Sequence, residues 1–192
     1  MFKNLLVVST FVLTLIAGSA FAQDEQRSDD PEITYEDLAD GALYFGDSFT
    51  DWRLRCQKSV SAEDLCQVHQ LLAGPNGGTI AQIAFFNLTN AQSTAVAGAN
   101  VTVPLETALP EGVKFKIDDK PAKAYPFSYC DSIGCHARLG FTAVELKWLQ
   151  DGAIAKMATV PYRGNREPIV IDISLAGFTA GYKAMVDNNL AN

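Results

Sequence analysis

The chain runs to 192 residues, 48% of them hydrophobic, with 22 acidic against 15 basic side chains and a net charge of −7. That length suits one domain with a real hydrophobic core and not two, and an acidic chain without clustered Lys and Arg is unsuited to nucleic acid.

Residues 1–22 carry one charge, Lys3, followed by the apolar run Leu5 to Ala17 and the small-residue site Ala20-Phe21-Ala22. This is the layout of a secretory signal peptide cut after Ala22. The apolar run is short for a bilayer span and no later segment is a transmembrane candidate, so the mature chain is expected to begin at Gln23 without an anchor of its own. Residues 23–43 hold Asp24, Glu25, Asp29, Asp30, Glu32, Glu36 and Asp37 with few apolar side chains, and read as a flexible acidic leader to a single domain over 44–192.

In that domain Trp52, Leu54 and Cys56 alternate with Arg53 and Arg55, as a half-buried strand demands. A polar turn over Lys58 to Asp64 leads to a second strand, Leu65 to Leu72, and a hairpin between the two returns Cys66 toward Cys56. After Gly74 to Gly78, a strong turn signal, Thr79 to Leu88 reads as a central strand. Val101 to Leu105 reads as a further one, confined by Pro104 to an edge or a strand end. Val113, Phe115 and Ile117 alternate with Lys114, Lys116 and Asp118 in the cleanest strand pattern of the chain. Strands are expected again at His136 to Phe141, Ile154 to Val160 and Ile169 to Ile173.

Two short helices are expected. The first, over 142–150, opens on the capping-box pattern Thr142-x-x-Glu145. The second, over 175–187, carries Leu175, Phe178, Tyr182 and Met185 at helical spacing behind Ser174, a stripe that should close an open end or edge of the β-structure. Many short strands with few helices point to a mainly β domain, an antiparallel sandwich or barrel.

Cys56, Cys66, Cys130 and Cys135 form an even set in an exported chain, which implies disulfides. Three pairings are formally possible. Proximity favours Cys56 with Cys66 and Cys130 with Cys135, because each pair brackets turn-forming residues. Spacings of Cys-x9-Cys and Cys-x4-Cys fit neither structural zinc motifs nor the Cys-x-x-Cys of thiol-exchange enzymes. Asp131, Ser132 and His136 lie close together, but no nucleophile turn or oxyanion motif accompanies them, so they read as a polar turn. His69 reads as a packed or half-exposed strand residue and not a ligand, and Trp52 and Trp148 read as core. No catalytic, cofactor-binding or metal-binding residue is expected.

As a set, the approach from Gly46 to Trp52 and Cys56, the Leu65-Cys66-Gln67 step, the run Phe127-Ser-Tyr-Cys-Asp-Ser-Ile-Gly-Cys135 and the close Ser174-Leu-Ala-Gly-Phe178 resemble the invasion-associated locus B family of exported bacterial proteins. The resemblance extends from about Tyr44 to Met185, with a longer approach from Gly46 to Trp52 than is usual. It implies a secreted or envelope-associated protein, linked in some pathogens to host-cell entry, with no established catalytic activity. The expected function is therefore that of a non-enzymatic binding module, periplasmic or secreted, whose partner is another envelope protein or a host surface. Any outer-membrane association would run through that partner. The alternative is an exported thiol-redox or hydrolytic enzyme.

Overall fold

The computed structural model describes residues 34–74, 77–90 and 92–190, so the expected signal peptide over 1–22 and residues 23–33 of the expected leader lie outside the described residues. In chain order the elements are β1 (Leu43–Phe49), β2 (Trp52–Gln57), β3 (Leu65–Ala73), β4 (Thr79–Asn87), β5 (Ala95–Val103), a 3-10 turn (Leu109–Glu111), β6 (Val113–Ile117), β7 (Lys123–Tyr125), β8 (Phe127–Cys130), β9 (Cys135–Thr142), α1 (Ala143–Asp151), β10 (Ile154–Thr159), β11 (Ile169–Ser174) and α2 (Phe178–Leu190). The mainly β, antiparallel architecture expected from the alternation is what forms. A seven-stranded sheet of order β1-β2-β3-β4-β5-β9-β8 faces a four-stranded sheet of order β11-β10-β6-β7.

The register explains the layering. Leu54 opposes Val68 and Cys56 opposes Cys66, so the apolar side of β2 and β3 points one way and the arginines of β2 the other. Between the sheets Trp52, Phe85, Phe141 and Phe178 form one aromatic cluster with centroids 4.9–5.7 Å apart. Gln70, also on this inner side, is buried but satisfied, since its amide donates to the carbonyls of Asp51 and Ser174, each at 3.1 Å. The indole of Trp52 donates to the same Ser174 carbonyl at 2.8 Å, which ties the end of β11 to the large sheet.

Three local outcomes differ from the sequence reading. The approach from Tyr44 to Cys56 is two strands, broken at Thr50, whose φ of 55° turns the chain between β1 and β2. β5 begins at Ala95 and is central, with Pro104 just past its end; its Ala-Val-Ala-Gly-Ala start has too little bulk to announce a strand. The second helix starts at Phe178, three residues later than expected, because Ser174 ends β11 and Gly177 takes φ 88° with its Cα against the backbone of Phe49. A Cβ at Gly177 would sit 1.9 Å from the Phe49 carbonyl oxygen.

The stripe of α2 is buried as expected, but it does not close an edge. Leu175, Phe178, Tyr182 and Met185 are at most 6% exposed, and the helix lies across the inner face of β1 to β4. At its far end Asn189 accepts from the Cys66 amide at 2.9 Å and donates to the Cys66 carbonyl at 3.0 Å, in place of a strand partner. The capping box of α1 is present in full: Thr142 Oγ1 accepts from the Glu145 amide while Glu145 accepts from the Thr142 amide at 2.9 Å. Trp52 is core at 1% exposure; Trp148 is only half-buried, near Lys120.

Candidate functional site

With the inner face of the large sheet covered, its outer face carries the side chains of opposite parity. From β2 come Arg53 and Arg55, from β3 Leu65, Gln67, His69 and Leu71, from β4 Gln82 and Phe86, from β5 Asn100 and Thr102, and from β9 His136 and Arg138. Strands β2, β3, β4, β5 and β9 contain no aspartate or glutamate, although the chain as a whole is acidic.

These residues form a hydrogen-bonded row across five strands. Arg55 Nη2 donates to Gln67 Oε1 at 2.9 Å, and Nη1 to Gln82 Oε1 at 3.3 Å. His69 Nε2 is 3.0 Å from the same Gln82 oxygen, the Gln82 amide donates to Thr102 Oγ1 at 3.4 Å, and Thr102 Oγ1 is 3.1 Å from His136 Nδ1. One proton arrangement fits all of these bonds: His69 donates from Nε2, and Thr102 donates to an unprotonated His136 Nδ1. The other His136 nitrogen, Nε2, lies 3.1 Å from Asp131 Oδ1.

His69 is 1% exposed although it points outward, because the β1 side chain Phe45 leans over it, ring centres 5.9 Å apart. Burial lowers its pKa, the Gln82 bond opposes this, and Arg55 and Arg53 push it down further. His69 is therefore neutral at pH 7, and its Nδ1 has no partner among the described residues. Arg53 lies flat on Phe45, its guanidinium carbon 3.4 Å from the ring centre. Leu43, Phe45, Leu65 and Leu71 stand 50–65% exposed on this side, and Tyr129 stacks on His136 at the far edge. Phe86 spreads over Gly98, where a Cβ would come within 2.5 Å of its ring, which is why this strand position holds glycine. An open groove of about 450 Å³ runs from Arg55 past Leu43, Leu65 and Phe86 to Asn189.

The residues singled out by sequence fall around this face. Cys56 and Cys66 are joined across β2 and β3, and Cys130 and Cys135 across β8 and β9, each pair directly opposed with Cα atoms 4.0 Å apart. Asp131 Oδ1 accepts from the amides of Ile133 and Gly134, and the His136 contact leads the interactions holding its carboxyl below the usual range. Among the described residues no hydrogen bond joins Ser132 to Asp131 or His136. Arg53, Arg55, Gln82, Phe45 and Leu71 were not expected as site residues. Their signal was the shared parity of β2 and β3 outside the cysteines, which places two arginines beside Gln67, His69 and Leu71.

Residues 52–186 match the family model described as invasion associated locus B (IalB) protein. An invasion protein B homolog from Brucella abortus strain 2308 is 28% identical over 143 residues, covering 74% of this chain and 80% of that protein, and one from strain 9-941 matches equally. The crystal structure of invasion associated protein b from Bartonella henselae superposes with a TM-score of 0.64 at 17% identity, covering 77% of this chain and 98% of that one. With the family model spanning most of the chain, from the first inner strand to the last turns of α2, this protein belongs to the invasion associated locus B family.

Proposed function

We propose that the protein is a non-enzymatic, exported binding module that engages its partner through the outer face of the seven-stranded sheet. The observation that carries this reading is compositional and geometric at once: exposed Leu43, Phe45, Leu65 and Leu71 interleave with Arg53 and Arg55 on a face whose central strands hold no carboxylate. Aromatic and arginine side chains are enriched at the centres of protein interfaces, whereas an ordinary solvated sheet face mixes both charges. Export is supported by the leader sequence and by two disulfides, which persist in oxidising compartments. Among the described residues no helix is long and apolar enough to cross a membrane. The name of the relatives, invasion protein B, extends the partner class from envelope proteins to a host surface.

A hydrolytic alternative has less support, because the His136 ring is committed to Thr102 and Asp131 and not to Ser132. The test is capture of envelope proteins by the mature domain and by a Phe45→Asp, Leu71→Asp double variant of equal thermal midpoint. A partner retained by the parent and lost by the variant is the expected result; equal retention contradicts the assignment.

A further inference from the structure

Arg55 stands in an uncompensated position. Its guanidinium is half-buried, both terminal nitrogens face neutral amide oxygens, and no carboxylate lies within ion-pair distance of it among the described residues. Arg163 and Arg166, in contrast, have Glu106 and Glu111 beside them. Neutral dipoles replace the hydration of a buried charge only in part, so an unpaired, partly desolvated cation is a standing cost that an incoming anion relieves. In a chain with 22 acidic side chains the pairing would have been easy to supply internally, yet the surrounding strands supply none.

Arg53, two residues away on the same strand face, stacks on Phe45 and likewise has no carboxylate within ion-pair distance among the described residues. Side chains two apart on one strand face are about 6.6–6.8 Å apart, which is also the repeat of alternate side chains in an extended peptide. One further repeat beyond Arg55 on β2 is Gln57, with Leu43 opposite it on β1 and Leu65 opposite it on β3, and all three line the groove, which offers an apolar seat between the two leucines.

We propose that this face docks an extended acidic protein segment, in which two carboxylates at alternate positions meet Arg53 and Arg55 and an apolar side chain two residues further on enters the groove over Gln57, between Leu43 and Leu65. The proposal rests on the outer face being the binding surface and adds the chemistry of what binds there. Guanidinium and carboxylate match as planar forks, so Arg55 can keep one amide contact and still take a carboxylate.

The probe is a blocked pentapeptide, Asp-Thr-Asp-Thr-Leu, titrated into the isotope-labelled mature domain, with an Asn-Thr-Asn-Thr-Leu counterpart, a sulfated glycan (heparin) and phosphatidylglycerol vesicles as separate arms. The acidic peptide is expected to shift the signals of Arg55, Gln67 and Phe86 saturably, to weaken as salt rises, and to lose at least about tenfold in affinity with the asparagine peptide or with Arg55→Gln. Arg53→Gln, which leaves the Arg55 bonds to Gln67 and Gln82 in place, gives the same direction of effect should Arg55→Gln disturb the fold. No saturable shift, equal binding of both peptides, or tighter binding of heparin or vesicles at these residues overturns the proposal. If an envelope partner is captured and lost in the Phe45 and Leu71 double variant, yet is indifferent to Arg55→Gln and to salt, the carboxylate inference falls while the outer-face reading stands.

Discussion

At the scale of single residues, His69 marks the difference between an outward-pointing side chain and an exposed one. Its place in a strand was legible, but whether it would be packed or half-exposed was not, because the cover over it comes from Phe45 on β1, a strand the sequence did not separate from β2. Because burial depresses the folded-state pKa below the ordinary 6.5, the unfolded chain binds the proton more readily. His69 therefore contributes stability that is whole above about pH 6.5 and is lost as pH falls from there toward the folded value. Denaturant midpoints of the parent should drop between pH 7 and 5, ahead of most carboxylate titration, and His69→Gln should flatten that slope; a parallel slope in both proteins would contradict the assignment. Ser132, exposed in the turn between the paired cysteines, gives the opposite expectation. Ser132→Ala should leave unfolding within about 0.5 kcal/mol of the parent, and loss of a hydrolytic activity in that variant would overturn the non-enzymatic reading.

At the scale of elements, what was legible followed strong local signals. The Thr142 and Glu145 capping box and the Val113 to Ile117 alternation formed where the pattern placed them, and the stripe Leu175, Phe178, Tyr182 and Met185 is buried although its helix begins only at Phe178. What was not legible depended on partners distant in sequence: β5 is recognised as central only when Phe85 and Leu139 are seen on either side of Ala99. The placement of α2 on the sheet face, and not at an edge, is set by Trp52 and Phe85, whose rings receive Phe178. Phe178→Ala should accordingly cost about 3–5 kcal/mol, read as a large fall in thermal midpoint; an unchanged midpoint would mean the helix is dispensable to the fold. Thr142→Ala should cost about 1 kcal/mol through the lost cap, measured in the same way. Replacing Cys130 and Cys135 together by Ser removes a short cross-strand loop closure at the sheet edge, with an expected loss of about 2–3 kcal/mol.

At the scale of the molecule, the two faces of the large sheet have separate tasks. The inner face, sealed by the small sheet and α2, holds the aromatic cluster and accounts for the fold shared with the Bartonella protein. On the outer face Arg55, Gln67, His69, Thr102 and His136 are tied into one row through Gln82 and Thr102, with exposed aliphatics beside it. The family could be read from motifs because those motifs are mostly inner-face and turn residues; the outer face has no such signature, since its side chains are not fixed by packing in the core. The most direct test is hydroxyl-radical footprinting of the mature domain with and without its captured partner. Oxidation of Phe45, Leu65 and Leu71 should fall on binding while that of Val60, Tyr162 and Val170, exposed elsewhere, stays level; protection of the second group without the first would contradict the account.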